Sequence, residues 1–169
     1  MGASYATLLT RLCVLLARAS LMLAVVGLIG VIVCVQTQVV GRYVFNDTPT
    51  WAEALALLLI LYVTALGVAV GVRDGGHIGF DSIVAFLPER WQLRFGLVIH
   101  ALVALFGALM ASSGWLWTRL KWAELKPMLA VPEGLDYLPL VIGGTLIVIF
   151  SLEHVIALLR GEEVRPAWH

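Results

Sequence analysis

Arg42-Tyr43-Val44-Phe45-Asn46-Asp47-Thr48-Pro49-Thr50-Trp51-Ala52-Glu53 separates two apolar runs, each long enough to cross a bilayer. Downstream, the chain is apolar from Ala54 to Val72, passing Gly67 and Gly71. It leaves that run through Arg73-Asp74-Gly75-Gly76-His77-Ile78, followed by Phe80-Asp81. Two polar signatures thus bracket one membrane span, a more particular pattern than a generic hydrophobic helix.

Composition agrees. Of 169 residues, 61% are hydrophobic and 13% charged, and the mean hydropathy is +0.97. Soluble domains carry roughly 45–50% apolar and about 25% charged residues, so the excess must face lipid. The polar stretches near 73–92 and 118–134 are too short for a soluble domain. Residues 1–169 therefore read as one all-α integral membrane domain. The 11 basic and 11 acidic residues cancel without a long run of either sign, so nothing points to a nucleic-acid partner. Cys13 and Cys34 lie in or beside the first apolar segment and read as free thiols.

Four spans are expected, at about 19–40, 51–72, 93–117 and 135–159. Before the first, Leu8, Leu9, Leu12, Leu15 and Leu16 at helical spacing oppose Arg11 and Arg18, suggesting a helix along the membrane surface. A cleaved signal peptide is the competing reading of this N-terminus, but the apolar run is long for one and no small-x-small site follows. Between spans two and three, Phe80, Ile83, Val84 and Leu87 share one helical face, with Asp81 off it and Pro88 closing it. Residues 80–87 thus read as a short interfacial amphipathic helix. Placing both termini in the cytoplasm puts Arg11, Arg18, Arg73, Arg90, Arg94, Arg160 and Arg165 inside and Arg42, Arg119, Lys121 and Lys126 outside. The positive-inside rule favours that orientation.

Few residues suggest chemistry. Glu53 is an acid near a membrane segment, where acids mark ion pathways. Its place two residues after Trp51 suits a helix start facing the positive end of the dipole, tied to Arg42 across the hairpin. His77, after two glycines, suits a backbone or subunit contact. His100 and His154 fall at matching depth and pose three alternatives: axial ligands of a haem, a buried polar cluster with Glu153, or separate interfacial contacts. Gly67-x-x-x-Gly71 permits close helix approach. The sequence shows no nucleophile–base set, phosphate loop or metal-ligand cluster, so no catalytic, cofactor or metal residue is assigned and the chain is read as a non-enzyme.

Taken together, Arg42-Tyr43-Val44-Phe45, Trp51-x-Glu53, the leucine-rich run to Tyr62, Gly67, Arg73, His77-Ile78, and Asp81 with Leu87-Pro88 resemble the small membrane subunit (DctQ type) of tripartite ATP-independent periplasmic (TRAP) transporters. The motif part covers about 45 residues, and the remainder matches in hydropathy and span count. The family usually shows Trp-x-Glu-Glu, whereas Ala54 occupies the second acidic slot here, and Tyr62 stands where Trp is common. The resemblance implies a multi-pass protein of the bacterial inner membrane. Its partners would be a large (M-type) membrane subunit and a periplasmic solute-binding (P-type) protein that delivers an organic acid. Sodium ions would bind in the large subunit, and no cofactor is expected here. Arg42, Trp51, Glu53, Gly67, Gly71, Arg73, His77 and Asp81 become candidate structural or subunit contacts. Two other classes compete: a haem- or quinone-associated anchor of a redox enzyme, and a self-sufficient four-span exporter.

Overall fold

The computed structural model describes the backbone of residues 2–74 and 89–161, and the side chains of residues 9–74 and 91–161. Four helices carry the fold: α1 (Gly2–Val44), α2 (Thr50–Asp74), α3 (Glu89–Leu120) and α4 (Leu138–Arg160). A single 3-10 turn, Glu133–Asp136, leads into α4, and there is no strand among the described residues. All four helices are long and apolar enough to span a membrane. The expected interfacial helix at 80–87 lies outside the described residues.

Two boundaries differ from expectation. The N-terminal stretch and span one form a single helix of 43 residues, about 65 Å long at 1.5 Å per residue. Nothing stops the helix earlier, because the first proline is Pro49 and no glycine intervenes between Gly2 and Gly27. A surface helix separate from the first span is thereby replaced by one continuous rod. The second difference is at span four, where residues 135–137 belong to the 3-10 turn and the tyrosine after it rather than to α4.

α1 ends where Asn46 takes a left-handed conformation (φ 51), which asparagine tolerates better than most residues. The Asp47 N–H then turns back to the Gly41 carbonyl at 3.0 Å. A Cβ at Gly41 would lie 2.8 Å from the Asp47 carbonyl oxygen, so only glycine fits this corner. Pro49 follows and α2 begins, antiparallel to α1.

The spatial order is α1–α2–α4–α3. α1 packs along α2 and reaches α4 only weakly, while neither α1 nor α2 packs against α3 among the described residues. α4 is the most buried span and α3 the least. Consecutive glycines put α4 in the middle. A Cβ at Gly143 would lie 3.0 Å from the Ala65 Cβ of α2, and one at Gly144 would lie 2.5 Å from the Gly107 carbonyl oxygen of α3. On α3 the facing positions are His100, Gly107, Gly114 and Thr118, all buried, and small residues there let two backbones approach within a membrane.

These contacts predict opposite outcomes for two chemically equal substitutions. Gly144→Ala drives a methyl group into backbone atoms of Gly107 and Ala111, an overpacking cost of about 1–3 kcal/mol. In a thermal melt of the purified protein it should lower Tm by roughly 3–10 °C. Gly67→Ala meets nothing within 4 Å among the described residues and should leave Tm unchanged or slightly raised, since alanine favours helix by about 1 kcal/mol.

Candidate subunit-contact site

The turn end of the α1–α2 hairpin carries the first motif. Ala65 lies opposite Gly143, so the first residue of α4, Leu138, is level with about residue 60 of α2. The first ten residues of α2 therefore run on for roughly 15 Å beyond that level. Arg42, Tyr43, Val44, Phe45, Trp51 and Glu53 are all exposed on this overhang, Tyr43 by 80%. Ala52, fully buried, is where α2 turns inward.

Arg42 and Glu53 are not paired with one another. Gln38 Nε2 donates a long hydrogen bond of 3.4 Å to Glu53 Oε2, and no ion pair of Arg42 is found among the described residues. The expected tie across the hairpin is corrected accordingly: Gln38, one turn before Arg42 on α1, is the residue that reaches Glu53.

Further along α2, Leu57, Ile60, Leu61, Thr64, Gly67, Val68 and Gly71 form one exposed face. A methyl group placed on Gly67 or Gly71 would meet nothing within 4 Å, whereas Gly27, Gly30, Gly107, Gly114, Gly143 and Gly144 are each closed by a neighbouring helix. The Gly67-x-x-x-Gly71 pair is therefore unused by the described part of this chain.

The C-terminal end of α2 is different in kind. Arg73, 1% exposed, is enclosed between helices. Its Nε and Nη2 donate to Glu153 Oε2 and Oε1 at 3.0 and 3.1 Å, and its Nη1 donates to Asp74 Oδ1 at 2.6 Å. The guanidinium carbon stands 6.0 Å from the centre of the Phe150 ring. His154 Nε2 lies 2.9 Å from the Arg73 carbonyl, and the Cys13 thiol meets the Glu153 carboxylate. A bidentate, charge-assisted pair of this kind is among the stronger side-chain contacts. Sequence reasoning places Glu153 in a polar cluster but leaves Arg73 in the loop. The available signal is depth, since both residues fall near the C-terminal ends of their spans.

His100 and His154 do meet, but as a stack. Their ring centres are 4.5 Å apart and the planes differ by 6°. Axial haem ligands must stand on opposite faces of a porphyrin with a nitrogen of each aimed at the iron. Two rings face to face at this separation leave no gap for that plate, and one nitrogen of His154 is already committed to Arg73. The haem reading is discarded in favour of the buried polar cluster. No group of three metal-ligating side chains occurs among the described residues. His77 and Asp81 lie outside the described residues.

At the opposite end of the bundle, the loop before α4 is tied by Lys126 to Asp136 at 2.7 Å and Lys121 to Glu124 at 2.5 Å. The hydrogen bond between the last two holds Lys121 above and Glu124 below their ordinary pKa values. This tie is complete near neutral pH, and is lost as pH falls through the lowered Glu124 value or rises through the raised Lys121 value.

A double-mutant cycle checks the contacts at the hairpin turn. Arg42→Ala and Glu53→Ala should add within about 0.5 kcal/mol, while Gln38→Ala and Glu53→Ala should show a small positive coupling, below about 1 kcal/mol for so exposed a contact. Strong coupling between Arg42 and Glu53 in thermal melts would contradict the geometry.

Comparison with known proteins adds the family. The model for the DctQ component of tripartite ATP-independent periplasmic transporters matches residues 31–161. The sialic acid TRAP transporter small permease protein SiaQ of Vibrio cholerae is 27% identical over 137 residues, covering 80% of this chain and 79% of that one. The C4-dicarboxylate TRAP transporter small permease protein DctQ of the same organism is 30% identical over 77 residues, 46% of this chain and 33% of that one. The sialic acid TRAP transporter permease protein SiaT of Haemophilus influenzae is 34% identical over 78 residues, which are 46% of this chain but only 12% of that protein. These relatives are transporter subunits and not enzymes. The chain belongs to the DctQ component family of TRAP transporters.

Proposed function

We propose that this chain is the small scaffold subunit of a sodium-coupled TRAP transporter, bracing a large permease subunit and transporting nothing alone. The family match over residues 31–161 carries this reading. The SiaT similarity supports a permease partner, because there a segment like this one makes up 12% of a much longer permease protein. The names of the relatives, sialic acid and C4-dicarboxylate, favour an organic acid as the substrate. A periplasmic solute-binding protein would deliver it to the complex in the bacterial inner membrane.

The chemistry of the chain agrees with a brace. A transporter's site needs polar groups or broken helices at mid-membrane. The described ionisable clusters here lie at the span ends, and the four spans are continuous helices. What the chain offers instead is apolar surface: the Leu57–Gly71 face of α2, the motif-bearing overhang at Tyr43–Glu53, and the Leu102, Leu105, Phe106 and Leu109 side of α3. Close approach at Gly67 and Gly71 would suit a helix of the large subunit, with lipid covering the remainder.

Reconstitution into liposomes tests this directly. Sodium-driven uptake should require this chain, the large subunit and the loaded binding protein together. Gly67→Ile with Gly71→Ile should abolish uptake by disassembling the pair while leaving the Tm of this chain intact. Glu53→Gln should reduce uptake only partly. Uptake by this chain alone would refute the scaffold role, and complete loss in Glu53→Gln with an intact complex would make Glu53 a transport residue. Orientation is tested separately with Asn46→Cys and Gly76→Cys in a background lacking Cys13 and Cys34. An impermeant thiol reagent applied to intact cells should label residue 46 and spare residue 76, as cytoplasmic termini require.

A further inference from the structure

An arginine closing a membrane span ordinarily extends its head to the lipid phosphates. Arg73 does the opposite. Its side chain is turned inward, with Nε, Nη1 and Nη2 all committed to carboxylates of this chain. The Glu153 that receives the fork is itself 3% exposed.

The next residue of α4 grips Arg73 again. A carbonyl oxygen can only accept a hydrogen bond, so the 2.9 Å contact between His154 Nε2 and the Arg73 carbonyl fixes the proton on Nε2. That carbonyl belongs to the last turn of α2, where intrahelical donors run out. Glu153 therefore holds the side chain of Arg73 while His154 holds its backbone. The His154 ring is backed by His100 of α3, stacked at 4.5 Å, and the buried Cys13 of α1 lies near Glu153. Each of the four helices thus contributes a side chain to the cluster, with α4 the helix that touches Arg73 directly.

Two contacts to one residue from adjacent positions constrain more than proximity. A slip of α2 by one residue would move it about 1.5 Å along its axis and turn it about 100°, breaking both contacts together. We propose that Glu153 and His154 form a two-point clamp on Arg73 that sets the axial and rotational register of α2 against α4. Arg73 is thus a positioning residue within this chain and not a contact for lipid headgroups or for a partner subunit. The clamp stands independently of what the chain transports or binds. Together with the close approach of Gly143 to Ala65, it keeps Gly67 and Gly71 on the open side of α2.

The test uses the full chain, purified alone and with its large subunit. Arg73→Met should lower Tm by roughly 5–10 °C, because buried carboxylates lose their counter-charge. Adding Glu153→Leu to Arg73→Met should raise Tm again rather than lower it further, since one uncompensated charge is removed with its partner. Arg73→Lys, which has the charge but not the fork, should recover only part of the loss. Spin labels on α2 and α4, read by pulsed dipolar spectroscopy, should show a broadened distance distribution in Arg73→Met and in His154→Phe, and a native one in His100→Phe, where a ring still backs His154. If Arg73→Met yields no folded protein, recovery of monodisperse protein by the double substitution supports the clamp equally, and failure of both to fold overturns it. Additive losses, or an unchanged Tm and distance with loss of the large subunit on co-purification, would make Arg73 a partner contact and overturn the proposal.

Discussion

The twin glycines of α4 set the geometry on which the other contacts depend. Gly143 opens α4 to the Ala65 backbone of α2, and Gly144 opens it to Gly107 and Ala111 of α3. In lipid, helices gain little from hiding apolar side chains from their surroundings, so shape and close backbone approach decide which faces meet. Two adjacent positions on a helix are about 100° apart, which is why successive glycines admit two different neighbours. α4 becomes the inner member of the spatial order, α2 and α3 flank it, and α1 is left to pack outside α2. The pair Arg73–Glu153 then lies further along the same α2–α4 seam.

Much of this is legible in the sequence, and the reasons are physical. Four long apolar runs must be four helices, because backbone groups in lipid have to be satisfied within their own segment. The corner at Gly41–Pro49 is marked by its polar residues and proline. Other features cannot be read without register. Gly67-x-x-x-Gly71 and Gly143-Gly144 look alike as small-residue signals, yet the first faces outward and the second is closed on both sides. Partners 80 positions apart, such as Arg73 and Glu153, become neighbours only once α2 and α4 are aligned. On α3, His100, Gly107 and Gly114 recur every seven residues, and only the structure reveals that this repeat marks the face that α4 covers. The amphipathic spacing of residues 8–18 suggests a separate surface helix, yet no breaker divides it from the span that follows.

The described chain thus combines a well-tied interior with bare outer surfaces. Its inner seam holds charged and small residues, and its outward faces on α2 and α3 are apolar. Such a distribution suits a body that must keep its own shape while others attach to it. Family membership names the assembly, and the proposed bracing role would give these bare faces a mechanical use. Moving a solute by shifting one domain requires another domain that does not shift.

Rigidity is therefore the central claim, and it can be measured in the working complex. Paired spin labels near the N-terminal end of α2 and the C-terminal end of α4 report the internal shape of this subunit. Their distance distribution can be recorded by pulsed dipolar spectroscopy in the reconstituted transporter, without ligands and then with sodium, substrate and the binding protein. The account predicts one narrow distribution, unchanged in every condition, while labels on the large subunit move. A shift of several ångströms within this subunit on adding sodium or substrate would contradict it.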